Sequence, residues 1–482
     1  MNKTAVRMDV VLGLLVVVIL SAVYWATARP GQDWGSDFAQ YINHARNIAE
    51  GRPYAQTRYI ANFPKAATHM PATYPPVFPL LIAPVYARYG LDYGPMKAVV
   101  GGAFAMAALM TFVIARLRGL NRWLALASAL AFGSSGLVLN VKDSILSDGP
   151  FLVFAGSALV MMIIVEQSGW DMRRPVVAAA LVLLFILLAY GCRAVGLTLA
   201  LAFALQQAIV KRRPTFFNVL VLGGFGAGVL LMARTLFDTR SYAVEFHIDP
   251  SVIVHNAVYY LRSVTTLWAG APAAVRYVLV AFTGVLAVGG WLRRTVRKPS
   301  VLEFYVLVAL LPLLPLSAGS SPRYLLPVFA LYFIYFFEGV EFISQRISSG
   351  VFFRAAGCVL LLIGAAFTIH GAEKGPYPQG IGQPTFASLC AFINQRTSPD
   401  DLIVSWNPRV LALYTGRRNV WYPPSGDLTE YLHSAGADFV LVYAGNPDDV
   451  QRLAPALKRE PAQFAVEFQN SDFTLYRSVG RR

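Results

Sequence analysis

The sequence predicts a multi-pass α-helical membrane protein, with about eleven transmembrane helices and a small C-terminal soluble α/β domain. Three observations predict it. Of the 482 residues, 56% are hydrophobic and only 14% are charged, against about 25% charged in an ordinary globular domain, and the mean hydropathy is +0.52. Apolar runs close to the ~20 residues that cross a bilayer recur from the N-terminus to about His370. From Gly371 onward the composition turns polar, and short strand-like runs alternate with helical patterns.

The spans follow from two rules: about 20 apolar residues cross, and short cytoplasmic loops carry Lys and Arg. The first is Val10–Ala28. Its basic start (Lys3, Arg7) and the Ala26-Thr27-Ala28 run resemble a cleavable signal peptide, but the apolar run is long for one, which favours an uncleaved span. The stretch Gln32–Leu81 is then outside. Val77–Tyr89 is apolar but short and broken by Pro79 and Pro84, so it reads as an interfacial segment and not a crossing. Further spans are expected over Pro95–Ala115, Trp123–Asn140, Gly149–Val165, Pro175–Tyr190, Ala194–Val210, Phe216–Leu236, Ala274–Leu292, Val301–Ala318, Tyr324–Ile343 and Val351–Ile369. Under this assignment the short basic clusters, such as Arg116–Arg122 and Arg293–Lys298, fall inside, and the C-terminal portion falls outside.

The predicted organisation is a membrane domain over 1–370, carrying a large outer loop over 31–76, and an extracytoplasmic α/β domain over 371–482. In the latter, Leu402–Ser405, Phe439–Tyr443 and Phe473–Tyr476 read as strands; Phe386–Arg396, Leu428–Ser434 and Asp448–Leu457 read as helices, with Asp427 and Asn446 as N-caps. The net charge of +15 would suggest nucleic acid in a soluble protein; here Lys and Arg sit at span ends, and no nucleic-acid partner is expected. Cys192, Cys358 and Cys390 have neither metal-ligand spacing nor the number for a disulfide framework.

The stretch Gln32–Leu81 is polar, acidic at Asp33 and Asp37, and rich in Tyr, Arg and Pro. Loops longer than about 12–15 residues are usually functional or disordered, and the aromatic content argues against disorder. On one outer face it could meet Lys142, Asp143 and Asp148, Arg193, and Arg323 with Tyr324, contributing Asp33, Asp37, Tyr41, Lys65, His69 and Tyr74. Such charges at a membrane mouth are costly unless they pair or bind something. The mixture suits a reaction in which a carboxylate takes a proton from an acceptor hydroxyl while arginines hold an anionic leaving group. Each residue also has a plainer reading. Asp37 or Ser36 could cap the Phe38–Glu50 helical pattern, and Asp148 could cap the next span. Arg193 and Arg323 could anchor at headgroups. Asp33, Lys65 and His69 could be ordinary loop residues. No cofactor is implied with certainty; Asp33 and Asp37 are four apart without an Asp-X-Asp run, which makes a divalent metal site a weak inference. Tyr414, Trp421 and Tyr422 could stack on a sugar or simply pack.

The run Trp34-Gly35-Ser36-Asp37-Phe38-Ala39-Gln40-Tyr41 with Ala45–Gly51 resembles the first outer loop of the GT-C glycosyltransferases, in the branch of the protein O-mannosyltransferases and lipid A aminoarabinose transferases. Tyr74-Pro75-Pro76-Val77-Phe78-Pro79-Leu80-Leu81 is similar to that branch's Pro-Pro segment. Leu146–Pro150, Cys192–Leu197 and Arg323–Pro327 resemble its second aspartate motif, its turn between spans and its late Arg-Tyr-Leu-Leu-Pro segment. The resemblance implies a transferase that moves a sugar from a polyprenyl-phosphate donor to an extracytoplasmic lipid, glycan or protein acceptor, at the cytoplasmic (inner) membrane. It implies Asp37 as the catalytic carboxylate, Asp148 supporting it, and Arg193 and Arg323 facing the donor phosphate. Tyr41, Lys65, Tyr74 and Tyr324 complete the expected substrate site. Phe38 stands where relatives often carry an acid, and Tyr74 where they carry a Lys. Alternative readings are a non-catalytic or ligase-like component of envelope-glycan assembly, or a transporter or flippase. Transporters tend to show inverted repeats and mid-span charges, and the sequence has neither.

Overall fold

A backbone surrounded by lipid must satisfy its own N–H and C=O groups, so long apolar runs become helices. The computed structural model describes residues 3–61, 71–212, 214–235, 248–316, 320–347 and 349–479. Among these, nine helices are long and apolar enough to cross a membrane: Val6–Ala26, Tyr93–Leu117, Asp148–Ser168, Pro175–Cys192, Ala194–Lys211, Phe216–Arg234, Ala273–Arg297, Pro322–Ser344 and Gly350–His370. They coincide with nine of the expected spans.

The other two expected spans are built from shorter pieces. Arg122–Gly133 gives way at Ser134 and Ser135 to the six-residue helix Gly136–Val141. Val301–Leu310 tightens into a 3-10 turn, Leu311–Leu313, where Pro312 has no N–H to give the ladder. Val77–Tyr89 is a 13-residue helix, about 20 Å long, short of the ~30 Å hydrocarbon thickness.

The described residues form two compact units. One holds 3–29, most of 97–235, and 248–374; the other holds 30–61, 71–96 and 375–479. In the first unit, local signals set the helix ends. Ser300 and Glu303 form a capping box that starts Val301–Leu310, and Gly169, at φ 65°, ends Asp148–Ser168 in the left-handed conformation. Helices Ala273–Arg297 and Leu326–Ser344 approach backbone to backbone. A Cβ on Gly290 would strike the Tyr335 carbonyl, and one on Gly339 the Leu286 carbonyl. Glycine at both positions permits the small-residue packing that membrane helices use where hydrophobic burial gives no drive.

The second unit is built on a five-stranded sheet of order β2-β1-β3-β5-β4, with β1 Leu402–Val404, β2 Arg418–Val420, β3 Phe439–Tyr443, β4 Phe464–Gln469 and β5 Phe473–Ser478. β1 pairs parallel with β2 and β3; β5 pairs antiparallel with β3 and β4. The expected strands and helices at 402, 439 and 473 and at 386 and 428 are present. β2, β4 and the helix Pro408–Thr415 were not expected. Asp427 accepts from the N–H groups of Thr429 and Glu430, and the Asn446 side chain accepts from Asp448 N–H. The polar N-terminal stretch joins this sheet: Asn419 on β2 donates to the Arg58 carbonyl (3.0 Å) and accepts from Ile60 N–H (2.9 Å), a parallel bridge at Tyr59. Trp34 sits among Phe386, Trp406, Tyr443 and Phe473, with ring centroids 5.1–6.1 Å away.

Two buried groups of this unit titrate in opposite senses. Burial pushes the Asp449 carboxyl up from 3.8 to about 7, against hydrogen bonds from Tyr422, Tyr443 N–H and Asn446. Burial pulls the His44 imidazole down from 6.5 to about 3, with the Tyr54 carbonyl opposing and Arg409 reinforcing. Asp449 holds its proton more tightly folded than unfolded, so its contribution to stability falls as pH rises from about 4 to 7. His44 sheds its proton on folding, so its contribution falls as pH drops from about 6.5 to 3. In the native protein the two slopes oppose each other between about pH 4 and 6.5. Asp449→Asn leaves the His44 slope alone. Its melting temperature, read by scanning fluorimetry, is expected to drop more steeply on acidification than that of the native chain. Identical pH profiles would contradict this.

Candidate active site

Two polar clusters hold the described residues of the expected site, one in each unit. In the sheet-bearing unit, Asp37 is the first residue of the helix Asp37–Ala49, and Ser36 at its N-cap makes no side-chain capping bond. Tyr74 Oη donates to Asp37 Oδ1 at 2.6 Å. Arg409, from the helix Pro408–Thr415, lies against both. Its Nη1 donates to Tyr74 Oη at 2.6 Å and stands 3.5 Å from Asp37 Oδ1, and its Nη2 donates to the Pro71 carbonyl at 2.8 Å. The guanidinium also sits 4.9 Å from the ring centroids of Tyr59 and Tyr74.

Arg409 is fully buried, while the Asp37 side chain is 26% exposed. Burial acts to lower the Arg409 pKa; Tyr74, Tyr59 and Asp37 outweigh it, and the net shift is upward. A buried arginine held this way keeps its charge beside the carboxylate.

Tyr74 is held at both backbone groups. Its N–H donates to His44 Nε2 (3.2 Å), and its C=O accepts from Tyr54 Oη (2.6 Å). The His44 ring stacks on Tyr54 at 4.2 Å, with Nδ1 2.9 Å from the Tyr54 carbonyl. Because Nε2 accepts, Nδ1 carries the proton of the neutral ring. Tyr41 is buried, its ring 4.7 Å from Tyr74 and 4.9 Å from Phe78. Together these contacts fix where the Tyr74 hydroxyl points. Lys65 and His69 lie outside the described residues.

In the membrane-helix unit, Asp148 opens the helix Asp148–Ser168 and is 3% exposed. Arg193 Nη1 lies 2.8 Å from Asp148 Oδ1, and Arg323 Nη1 lies 4.0 Å from Oδ2. Both guanidinium groups lie by the Tyr324 ring, at 5.8 and 5.6 Å from its centroid. Arg193 is the extended residue between Pro175–Cys192 and the turn Ala194–Gly196. That turn needs its glycine, since a Cβ on Gly196 would strike the Tyr190 backbone. Arg323 sits on the short 3-10 turn Pro322–Leu325 that feeds Leu326–Ser344. Two guanidinium groups converge on one carboxylate, with both arginine side chains about one-fifth exposed. This is donor chemistry suited to a phosphate, which takes planar bidentate hydrogen bonds from arginine.

Among the described residues, no group of three His, Cys, Asp or Glu side chains gathers as metal ligands would. Asp33 accepts from Gln32 Nε2 (2.8 Å) and Gly35 N–H (3.2 Å). Of the aromatics expected to stack or pack, Tyr422 is buried against Asp449, and Tyr414 bonds the Tyr93 hydroxyl and packs on Phe386. Sequence reasoning missed Arg409, His44, Tyr54 and Tyr59. His44 sits inside a helical pattern, and Asn407-Pro408-Arg409 reads as an ordinary helix start.

No protein-family model and no curated protein sequence matches the chain. Solved structures do. The oligosaccharyltransferase of Archaeoglobus fulgidus aligns with TM-score 0.58 and 12% identity, over 89% of this chain and 69% of that one. ArnT from Cupriavidus metallidurans, bound to undecaprenyl phosphate, aligns with TM-score 0.55 and 13% identity, over 100% of this chain and 99% of that one. The arabinofuranosyltransferase AftD from Mycobacteria aligns with TM-score 0.51 and 15% identity, over 99% of this chain but 40% of that one. At these identities the likeness is one of architecture, and the chain has the multi-pass membrane fold of the GT-C glycosyltransferases.

Proposed function

We propose that the protein is an integral-membrane glycosyltransferase that moves a sugar from a polyprenyl-phosphate donor to an acceptor on the non-cytoplasmic side. The observation that carries this reading is the Asp148–Arg193–Arg323 cluster: two guanidinium groups over one tyrosine ring, set by a nearly buried carboxylate. Binding of undecaprenyl phosphate by the structurally similar ArnT supports it. The acceptor hydroxyl oxygen attacks the anomeric carbon as the bond from that carbon to the phosphate oxygen breaks. Asp37 takes the hydroxyl proton. The polyprenyl phosphate departs as an anion, which needs no general acid, and Arg193 and Arg323 stabilise its charge. A single displacement inverts the anomeric centre.

In this reading Asp148 positions the arginines, and Tyr74 and Arg409 orient Asp37. Cysteines placed at position 37 or position 323 are expected to react with an impermeant reagent from the non-cytoplasmic side; labelling of the two from opposite sides would overturn this reading. The function is tested by mass spectrometry of lipid-linked sugars and envelope glycans in a strain lacking the gene. A loaded polyprenyl phosphate accumulates and one glycan, lipid or protein loses a sugar; unchanged profiles of both overturn the proposal.

A further inference from the structure

A cavity of about 250 Å³ opens among the far ends of helices Tyr93–Leu117, Ala273–Arg297 and Leu326–Ser344, bordered by Arg293, Arg294, Arg297, Lys298, Glu338 and Glu341. Glu338 lies twelve residues beyond Leu326, about 18 Å along the helix, so the cavity is remote from Arg323 at that helix's start. Its floor is a built ion network. Arg118 is 7% exposed and reaches Glu303 (2.8 Å) and Glu338 (3.0 Å), and Arg294 reaches Glu338 (3.1 Å) and the Arg118 carbonyl (3.2 Å). Glu341 is engaged by Arg354 at 3.3 Å. Both carboxylates at the cavity therefore already have structural partners.

Arg293, Arg297 and Lys298 have no carboxylate within ion-pair distance among the described residues. Three helix C-termini, whose carbonyl ends favour cations, and the charge bias of cytoplasmic span ends account for basic residues in this segment, though not for their convergence on one cavity. Arg293, Arg297 and Lys298 are left over around a cavity whose two carboxylates are already engaged. The source of a balancing anion is indicated by the adjacent surface: Val285, Val288, Leu292 and Val296 are exposed at three- and four-residue spacing, an apolar stripe running up to Arg297 and Lys298. Acyl chain along the stripe and phosphate at the cavity match a phospholipid, and the positive excess selects an anionic one.

We propose that this cavity binds the phosphate headgroup of an anionic phospholipid, with Arg293, Arg297 and Lys298 as its ligands. The site is independent of glycosyl transfer. Native mass spectrometry of the purified chain, titrated with phosphatidylglycerol or phosphatidylcholine, tests it. Phosphatidylglycerol is expected to bind preferentially, and the Arg297→Gln/Lys298→Gln double variant to weaken it by on the order of tenfold or more. Both side chains are exposed at a helix end, so folding is spared. The Arg173→Gln/Arg174→Gln variant, which removes an equal charge at another helix end, is expected to change nothing. No lipid preference, no loss in the first variant, or an equal loss in both variants overturns the proposal. Displacement of the lipid by inorganic phosphate at equal concentration overturns the lipid assignment, leaving only a soluble-anion site.

Discussion

Asp37→Asn is expected to lower turnover by on the order of 10²–10⁴-fold while the protein stays folded and still binds donor, because the amide keeps the carboxylate's shape but cannot take a proton. The surroundings keep the hydrogen bonds of the substituted side chain, while the fully buried Arg409 loses the carboxylate charge 3.5 Å away, so a lower melting temperature is expected alongside. The amide oxygen can still accept from the Tyr74 hydroxyl, whose backbone is pinned by His44 and Tyr54. Arg409 retains its bonds to Tyr74 Oη and the Pro71 carbonyl. A chemical loss therefore separates from a structural one. Single-turnover kinetics on the purified variant, with donor binding and melting temperature measured alongside, makes the check. Near-normal turnover removes Asp37 as the base, and loss of donor binding together with turnover reassigns it to positioning.

Arg193→Gln and Arg323→Gln are each expected to lower kcat/KM for the donor by about 10²–10³-fold, the loss seen when one fixed donor to a developing anion is removed. The double variant should lose less than the product of the two. Both arginines share Asp148 and the Tyr324 ring, and groups with common partners do not add. Arg323→Lys should retain more activity than Arg323→Gln, since a point charge still meets the phosphate, but less than arginine, since the planar fork is lost. Steady-state kinetics across the four variants decides. Wild-type kcat/KM in both glutamine variants would leave the phosphate without its proposed ligands.

The membrane helices were legible because their signal is compositional: nine expected spans reappear as long apolar helices. The pieces that differ do so for local reasons, such as Pro312 tightening Val301–Leu310 into a 3-10 turn. Asp37, Asp148, Arg193 and Arg323 stand out in the sequence through the flanks that carry the GT-C resemblance, whereas their places beside helix starts and turns fit capping and anchoring equally well. Arg409 does not stand out. It is 335 positions from Tyr74 in the chain, and nothing local marks it as fully buried. β4 escaped because most of its residues are exposed, which removes the alternation that marks a half-buried strand. β2 has three residues, one of them exposed. The bridge from Tyr59 to Asn419, which joins the polar N-terminal stretch to the sheet, has no counterpart in any periodicity of either segment.

The proposed reaction breaks the bond between a sugar and a polyprenyl phosphate and passes the sugar on. The most direct measurement follows a polyprenyl-phosphate donor labelled in its sugar, incubated with the purified chain in lipid bilayers and an extract of envelope acceptors. Label is expected to leave the carrier for an acceptor with inverted anomeric configuration, one free polyprenyl phosphate appearing per sugar moved. Label that stays on an intact carrier, or crosses the bilayer still attached to it, would rule this reaction out.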